Sequence, residues 1–169
     1  MKAAYKIITD TLLIILIALV AVIYVPKLVG IQPLQVLSGS MEPTYHVGSI
    51  VYVKSVDPAL IQVGDAITFR MSADTMVTHR VVSKDETTQT LRTKGDANET
   101  EDGGSVSYNN VVGKAIISIP LLGYVAAFIG TTYGLIVMMA LILLVLMLTF
   151  IPDMIGKSRV NKIAKNDAT

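Results

Sequence analysis

The chain has 169 residues, 52% of them apolar and 16% charged, with a formal net charge of +1 and no cysteine. That length holds about one small domain plus extra segments. The near-neutral charge, with no basic stripe or interleaved aromatics, argues against nucleic acid as a partner, and the lack of cysteine excludes disulfides and thiolate metal sites.

The apolar residues gather at the two ends and leave a polar middle. Ile7 to Val25 is almost wholly apolar, and Leu12 to Val25 carries no charge. This stretch approaches the roughly 20 residues that cross a hydrocarbon core of about 30 Å, which puts Asp10 at headgroup level. Lys2 and Lys6, followed by small Ala18 and Ala21, also suit a cleaved signal. Those alanines lack A-x-A spacing, however, and bulky Val22, Ile23 and Tyr24 follow, so residues 1–25 read as an uncleaved membrane anchor.

The middle, residues 26–120, is expected to be mainly β: a compact antiparallel β domain flanked by N- and C-terminal transmembrane helices. Alternating or β-branched runs predict strands at Ile50–Lys54, Ala66–Met71, Val77–Val82, Thr87–Arg92 and Val111–Ile119. Turn signals separate them, among them Gly48, Asp57-Pro58, Gly64-Asp65, Gly95 to Asn98 and Gly103-Gly104.

No charged residue lies between Lys114 and Asp153, and one helix of that length would overreach a bilayer. Pro120 and Gly123 divide it. Residues 133–151 then form the second transmembrane helix, and 121–132 an apolar segment on the membrane surface, with a buried strand end as the alternative. Gly130 and Gly134 have the spacing of a helix-packing motif but read more simply as a helix boundary. Residues 152–169 make a tail carrying Lys157, Arg159, Lys162 and Lys165. Together with Lys2 and Lys6, these place both termini in the cytoplasm and residues 26–120 outside. Asp10 and Asp153 flank the spans and read as interfacial.

Chemistry is expected at the turn Ser38-Gly39-Ser40-Met41-Glu42-Pro43, between the anchor and the strands. Ser40 is the candidate nucleophile, and a serine hydroxyl needs a base within hydrogen-bond reach. The chain has two histidines. Strand alternation puts His79 on one face with Val77 and Val81, and Thr78, Arg80 and Val82 on the other. For an isolated histidine, a core imidazole satisfied by a carbonyl is the simpler explanation. His46, in the turn Thr44 to Gly48, reads as surface or structural. An orienting acid would come from Lys94-Gly95-Asp96-Ala97-Asn98-Glu99-Thr100-Glu101-Asp102, where ordinary turn chemistry also fits. Spacing alone does not choose between Asp96 and Asp102.

Taken together, Ser38 to Thr44, Val63-Gly64-Asp65, His79-Arg80-Val81 and Lys94 to Asn98 with Asp102 resemble, in order and spacing, the type I signal peptidases. The similarity runs from about Leu34 to Gly123. His79, where the common bacterial branch has a lysine, resembles the Ser-His branch found in the endoplasmic reticulum, archaea and some Gram-positive bacteria. The resemblance implies Ser40 as nucleophile, His79 as general base, Asp102 as the orienting acid and Asp96 as a supporting acid. It also implies an oxyanion site made by the Ser40 backbone N–H and the Ser38 hydroxyl. Met41 and Pro43 would shape the turn, and Asp65 would be structural. Ala97 departs from the family, which often has a second asparagine there. No metal and no cofactor are implied.

The implied function is a membrane-bound serine endopeptidase that removes signal peptides from preproteins after small residues. It would sit in a bacterial or archaeal plasma membrane, or in the endoplasmic reticulum. Its partners would be signal peptides and the lipid bilayer, with room for membrane partner subunits. About fifteen residues, or at most about 50 Å of extended chain, separate Val25 from Ser40, so the nucleophile is expected near the outer membrane face. There an extended substrate would add as a strand beside the serine turn. A Ser-Lys endopeptidase using Lys84 or Lys94, or a non-proteolytic membrane scaffold, are the alternatives.

Overall fold

The structure is a computed structural model that describes residues 2–166, with side chains described for residues 4–150. The side chains of the basic tail expected at 152–169 lie outside the described residues. The elements in chain order are α1 (Lys2–Leu28), β1 (Ile31–Gln35), β2 (Ile50–Lys54), β3 (Ala66–Arg70), β4 (Met76–Asp85), β5 (Thr90–Lys94), β6 (Ser105–Ser107), β7 (Val111–Ile119), α2 (Leu122–Ile129) and α3 (Thr132–Asn166). The chain divides into two units, Ile23–Ala127 and Met1–Val22 with Phe128–Thr169.

In the first unit the expected β domain is one curled, seven-stranded antiparallel sheet in the order β1-β2-β7-β3-β4-β5-β6. The register shifts between Tyr52 and Val53, between Thr68 and Phe69, and between Val81 and Ser83. An extra residue in one strand bends it and increases its twist, which lets a sheet curl around its own core. One face buries Ile61, Ile67, Phe69, Val81, Leu91 and Val106. Another cluster joins Met41 to Val51, Val53, Ala66 and Ala115. Burying a side chain of this kind contributes about 1.5–3 kcal/mol. Burial of Met41 therefore anchors the turn containing Ser40 to the sheet.

Strands β2 and β7 occupy the ranges their alternation predicts. β3 ends at Arg70 rather than Met71 and β4 runs from Met76 to Asp85, beyond both ends of the expected Val77–Val82, and three further features differ from expectation for local reasons. Pro33 makes residues 31–35 read as a bend, yet β1 is an edge strand, where proline is tolerated. β5 begins at Thr90 because the Asp85 carboxylate accepts the Thr87 and Thr88 N–H groups and Gln89 has φ 52°, which prolongs the turn. β6, three residues after a Gly-Gly pair, is too short to show a period.

Residues 122–129 are a helix, and its first turn docks on the Gly48-Ser49 turn. The Gly123 N–H donates to the Gly48 carbonyl at 2.9 Å. Gly48 has φ +82°, and a Cβ there would lie 2.0 Å from the Tyr124 ring, so both backbone and space require glycine.

In the second unit, α3 starts at an N-cap in which the Thr131 hydroxyl accepts the Gly134 N–H at 3.0 Å. The helix boundary expected at Gly130-Gly134 is thus made by Thr131. A Cβ on Gly134 would lie 1.8 Å from the Phe128 carbonyl oxygen, so close backbone approach also constrains this position. The Tyr5 hydroxyl donates to the Leu148 carbonyl at 2.8 Å. Ala4–Leu28 and Thr132–Phe150 are long and apolar enough to cross a membrane. Outward-facing Ile7, Ile14, Leu143 and Phe150 are exposed, as on a helix that is apolar all round.

Candidate active site

The Ser40 turn is closed by bonds from the Glu42 N–H to the Gly39 carbonyl and from the Tyr45 N–H to the Met41 carbonyl, at 3.0 and 2.9 Å. Buried Met41 points inward, and the Ser40 side chain stays half-exposed. Strand β4 supplies His79. Its buried face carries His79 and Val81, and its other face carries Thr78, whose hydroxyl meets that of Thr68 at 2.7 Å. The Phe69 ring meets the imidazole edge-on, with centroids 6.4 Å apart and planes at 69°. This contact limits the rotations open to the imidazole.

His79 Nε2 lies 3.1 Å from Ser40 Oγ, and His79 Nδ1 lies 2.6 Å from Asp102 Oδ2. An ionised carboxylate only accepts hydrogen bonds, so Nδ1 carries the proton, and Nε2 of the neutral ring is free to accept from Ser40. A hydroxyl, an imidazole and a carboxylate in this line have the geometry of a serine hydrolase triad. Ser38 Oγ is 3.5 Å from Ser40 Oγ, which puts a second hydroxyl beside the first.

Asp96 takes a different partner. Its carboxylate accepts two bonds from Arg80, Nε to Oδ1 at 2.8 Å and Nη2 to Oδ2 at 2.6 Å, and a third from the Thr44 hydroxyl. Arg80 Nη1 also donates to the Gly64 carbonyl at 2.7 Å. Arg80 alternates with His79 along β4, so it faces away from the imidazole and gathers three separate motifs: the serine turn, the Gly64-Asp65 turn and the acidic loop. Asp65 itself accepts the Gln62 N–H and pairs with Lys114 at 2.6 Å. His46 is exposed and contacts Glu42.

Two contributors were not visible in the sequence. Thr93, fully buried, donates its hydroxyl to Asp102 Oδ2 at 2.6 Å. Its signal is that it shares a face with Leu91, but a strand ending at Arg92 leaves it out. The second is the Ala97 backbone N–H, which donates to the Ser40 carbonyl at 2.9 Å. A backbone donor makes this contact, so it does not depend on the side chain at the position where the chain departs from the family. Beneath it, a Cβ on Gly95 would lie 2.5 Å from the Ser40 carbonyl oxygen.

The hydrogen bonds from Arg80 hold the Asp96 carboxyl below the usual carboxylate range. Partial burial opposes this shift and the Thr44 hydroxyl reinforces it. A carboxyl whose folded-state pKa is depressed stabilises the fold fully above its unfolded value of about 3.9, and that contribution is lost as pH falls through the lower folded value. Acid unfolding followed by circular dichroism should therefore be steeper below about pH 4 in the wild type than in Asp96→Asn. Superimposable acid limbs would show that this ion pair does not contribute.

The model for "Signal peptidase, peptidase S26" matches residues 8–87, a stretch that includes Ser40 and His79 and ends before Asp96 and Asp102. "Signal peptidase I W" of Bacillus subtilis is 44% identical over 89 residues, covering 51% of this chain and 47% of that protein. The human "Signal peptidase complex catalytic subunit SEC11C" is 34% identical over 101 residues, covering 53% of each. The chain spans about half the length of these curated relatives. Over these stretches the chain is similar to the signal peptidases, and the match supports the type I signal peptidase family.

Proposed function

We propose that the chain is a membrane-bound serine endopeptidase that removes signal peptides, cutting after small residues. The observation that carries this is the hydrogen-bonded line from Ser40 through His79 to Asp102 in a chain that matches this family. Ser40 Oγ attacks the scissile carbonyl while His79 Nε2 takes its proton, and Asp102 stabilises the imidazolium. The Ser40 backbone N–H and the Ser38 hydroxyl donate to the oxyanion, and such donors are worth about 3 kcal/mol each. His79 returns the proton to the leaving amine. It then deprotonates a water that attacks the acyl-Ser40 ester, releasing the new carboxylate and regenerating the hydroxyl. Asp96, held by Arg80, keeps the acidic loop against the serine turn. The Ser-Lys alternative is disfavoured for Lys84, whose ammonium donates to the Ala59 carbonyl and pairs with Glu86.

In this reading the two apolar helices cross the membrane with both termini in the cytoplasm and the β domain outside. Residues 121–132, with exposed Tyr124 and Phe128, rest at the surface. Substrate lies extended in a cleft of about 140 Å³ lined by Leu34, Val36, Leu37, Ser40, Met76 and Thr78. Its small size suits small side chains at the first and third positions before the cut. The test is cleavage of a membrane-inserted preprotein by the detergent-solubilised chain. An A-x-A site should be cut, and leucine at either alanine should abolish cutting. Equal cutting of both substrates would remove the pocket argument.

A further inference from the structure

We infer that Thr93 is a positioning residue for this active site: its buried hydroxyl fixes the Asp102 carboxylate in the one orientation that meets His79. The inference rests on the proposed triad and extends it to a residue outside every motif that carries the family resemblance.

Asp102 lies on the long β5–β6 loop rather than on a strand, and its side chain is 22% exposed. A cavity of about 230 Å³ opens beside it, lined in part by Phe69, Arg70, Thr93, Gly103 and Asn110. A carboxylate in such a place has both room and solvent to turn into. Two bonds from one residue hold it back. The Asp102 N–H donates to the Thr93 carbonyl at 2.9 Å, and the Thr93 hydroxyl donates to Oδ2 at 2.6 Å, the same oxygen that His79 Nδ1 meets. Thr93 pairs with Val81 across the β4–β5 ladder, two residues beyond His79 on the same face. Its position therefore comes from the sheet, so a rigid element orients a loop residue. Of the other charged groups around the loop, Arg80 pairs with Asp96, Arg92 pairs with Glu101, and Arg70 lines the cavity.

The test uses the full chain in detergent micelles carrying His46→Gln, which leaves His79 as the single imidazole. Thr93→Val keeps the shape and removes the donor, and Thr93→Ser keeps the donor. Thr93→Val should lower kcat about tenfold to a hundredfold, the range for one charge-assisted hydrogen bond, with KM unchanged. It should also lower the His79 pKa read by NMR, because an imidazolium without a held carboxylate is less stable. Thr93→Ser should keep wild-type values. In an Asp102→Asn background, Thr93→Val should have no further effect.

An unchanged or raised His79 pKa in Thr93→Val overturns the inference, and so does a Thr93→Ser variant as impaired as Thr93→Val. The NMR readout does not depend on turnover. A lowered His79 pKa in a chain that cuts no preprotein would uphold the role of Thr93 and sink the proposed function instead.

Discussion

Ser40→Ala is expected to abolish preprotein cleavage, lowering kcat by about 10⁶-fold as loss of a triad nucleophile does. The substitution removes one oxygen from a half-exposed side chain. Met41, which anchors the turn, and the bond from the Ala97 N–H to the Ser40 carbonyl do not depend on that oxygen. Stability should therefore change by no more than about 0.5 kcal/mol, the usual scale for a surface substitution. His79→Ala should cost a similar factor in rate, and the double variant should be no worse than either single one, because the groups act as one unit. Ser40→Ala cutting as fast as wild type would refute the proposed mechanism. If membrane function also persisted, it would favour the scaffold alternative.

Asp102→Asn carries the second-largest expected effect, a loss of about 10⁴-fold in kcat. The substitution nearly preserves volume but removes the negative charge that meets His79 Nδ1, so the imidazolium formed during attack is left uncompensated beside a buried strand. Asp96→Asn should behave differently. It weakens the bidentate Arg80 pair and acts through the stability of the loop. Rates measured on folded protein should separate the two: a severe loss for Asp102→Asn at unchanged melting temperature, and for Asp96→Asn a lowered melting temperature with the milder rate loss. The reverse pattern would exchange their roles.

The contrast between these two acids shows how far the sequence could be read. Ser40 and His79 were legible through the motifs that resemble the signal peptidases, since a serine in a turn and a lone histidine on a strand are each ordinary by themselves. The acidic loop offers Asp96, Glu99, Glu101 and Asp102 within seven residues, and only the path of the backbone decides which reaches the imidazole. That path depends on long-range contacts: Arg80 drawing Asp96 to one side of β4, and Ala97 and Gly95 packing on the Ser40 carbonyl. Strands with clear alternation, such as Ile50–Lys54 and Val111–Ile119, were legible because period 2 survives in sequence. β1 was hidden by Pro33, whose cost depends on being at an edge, and edges are a property of the finished sheet. Thr93 was hidden because the expected strand stops at Arg92, short of the end of β5 at Lys94, and so leaves Thr93 without a face.

The same two edges bear on self-association. A sheet whose outer strands present a full row of N–H and C=O groups invites other copies to zip onto it. Here one outer strand is β1, in which Pro33 has no N–H to give, and the other is β6, only three residues long. Both are poor templates for fibrillar or edge-to-edge aggregation. A domain whose proposed work is to grip extended polypeptide would therefore discourage its own copies from stacking on its outer strands.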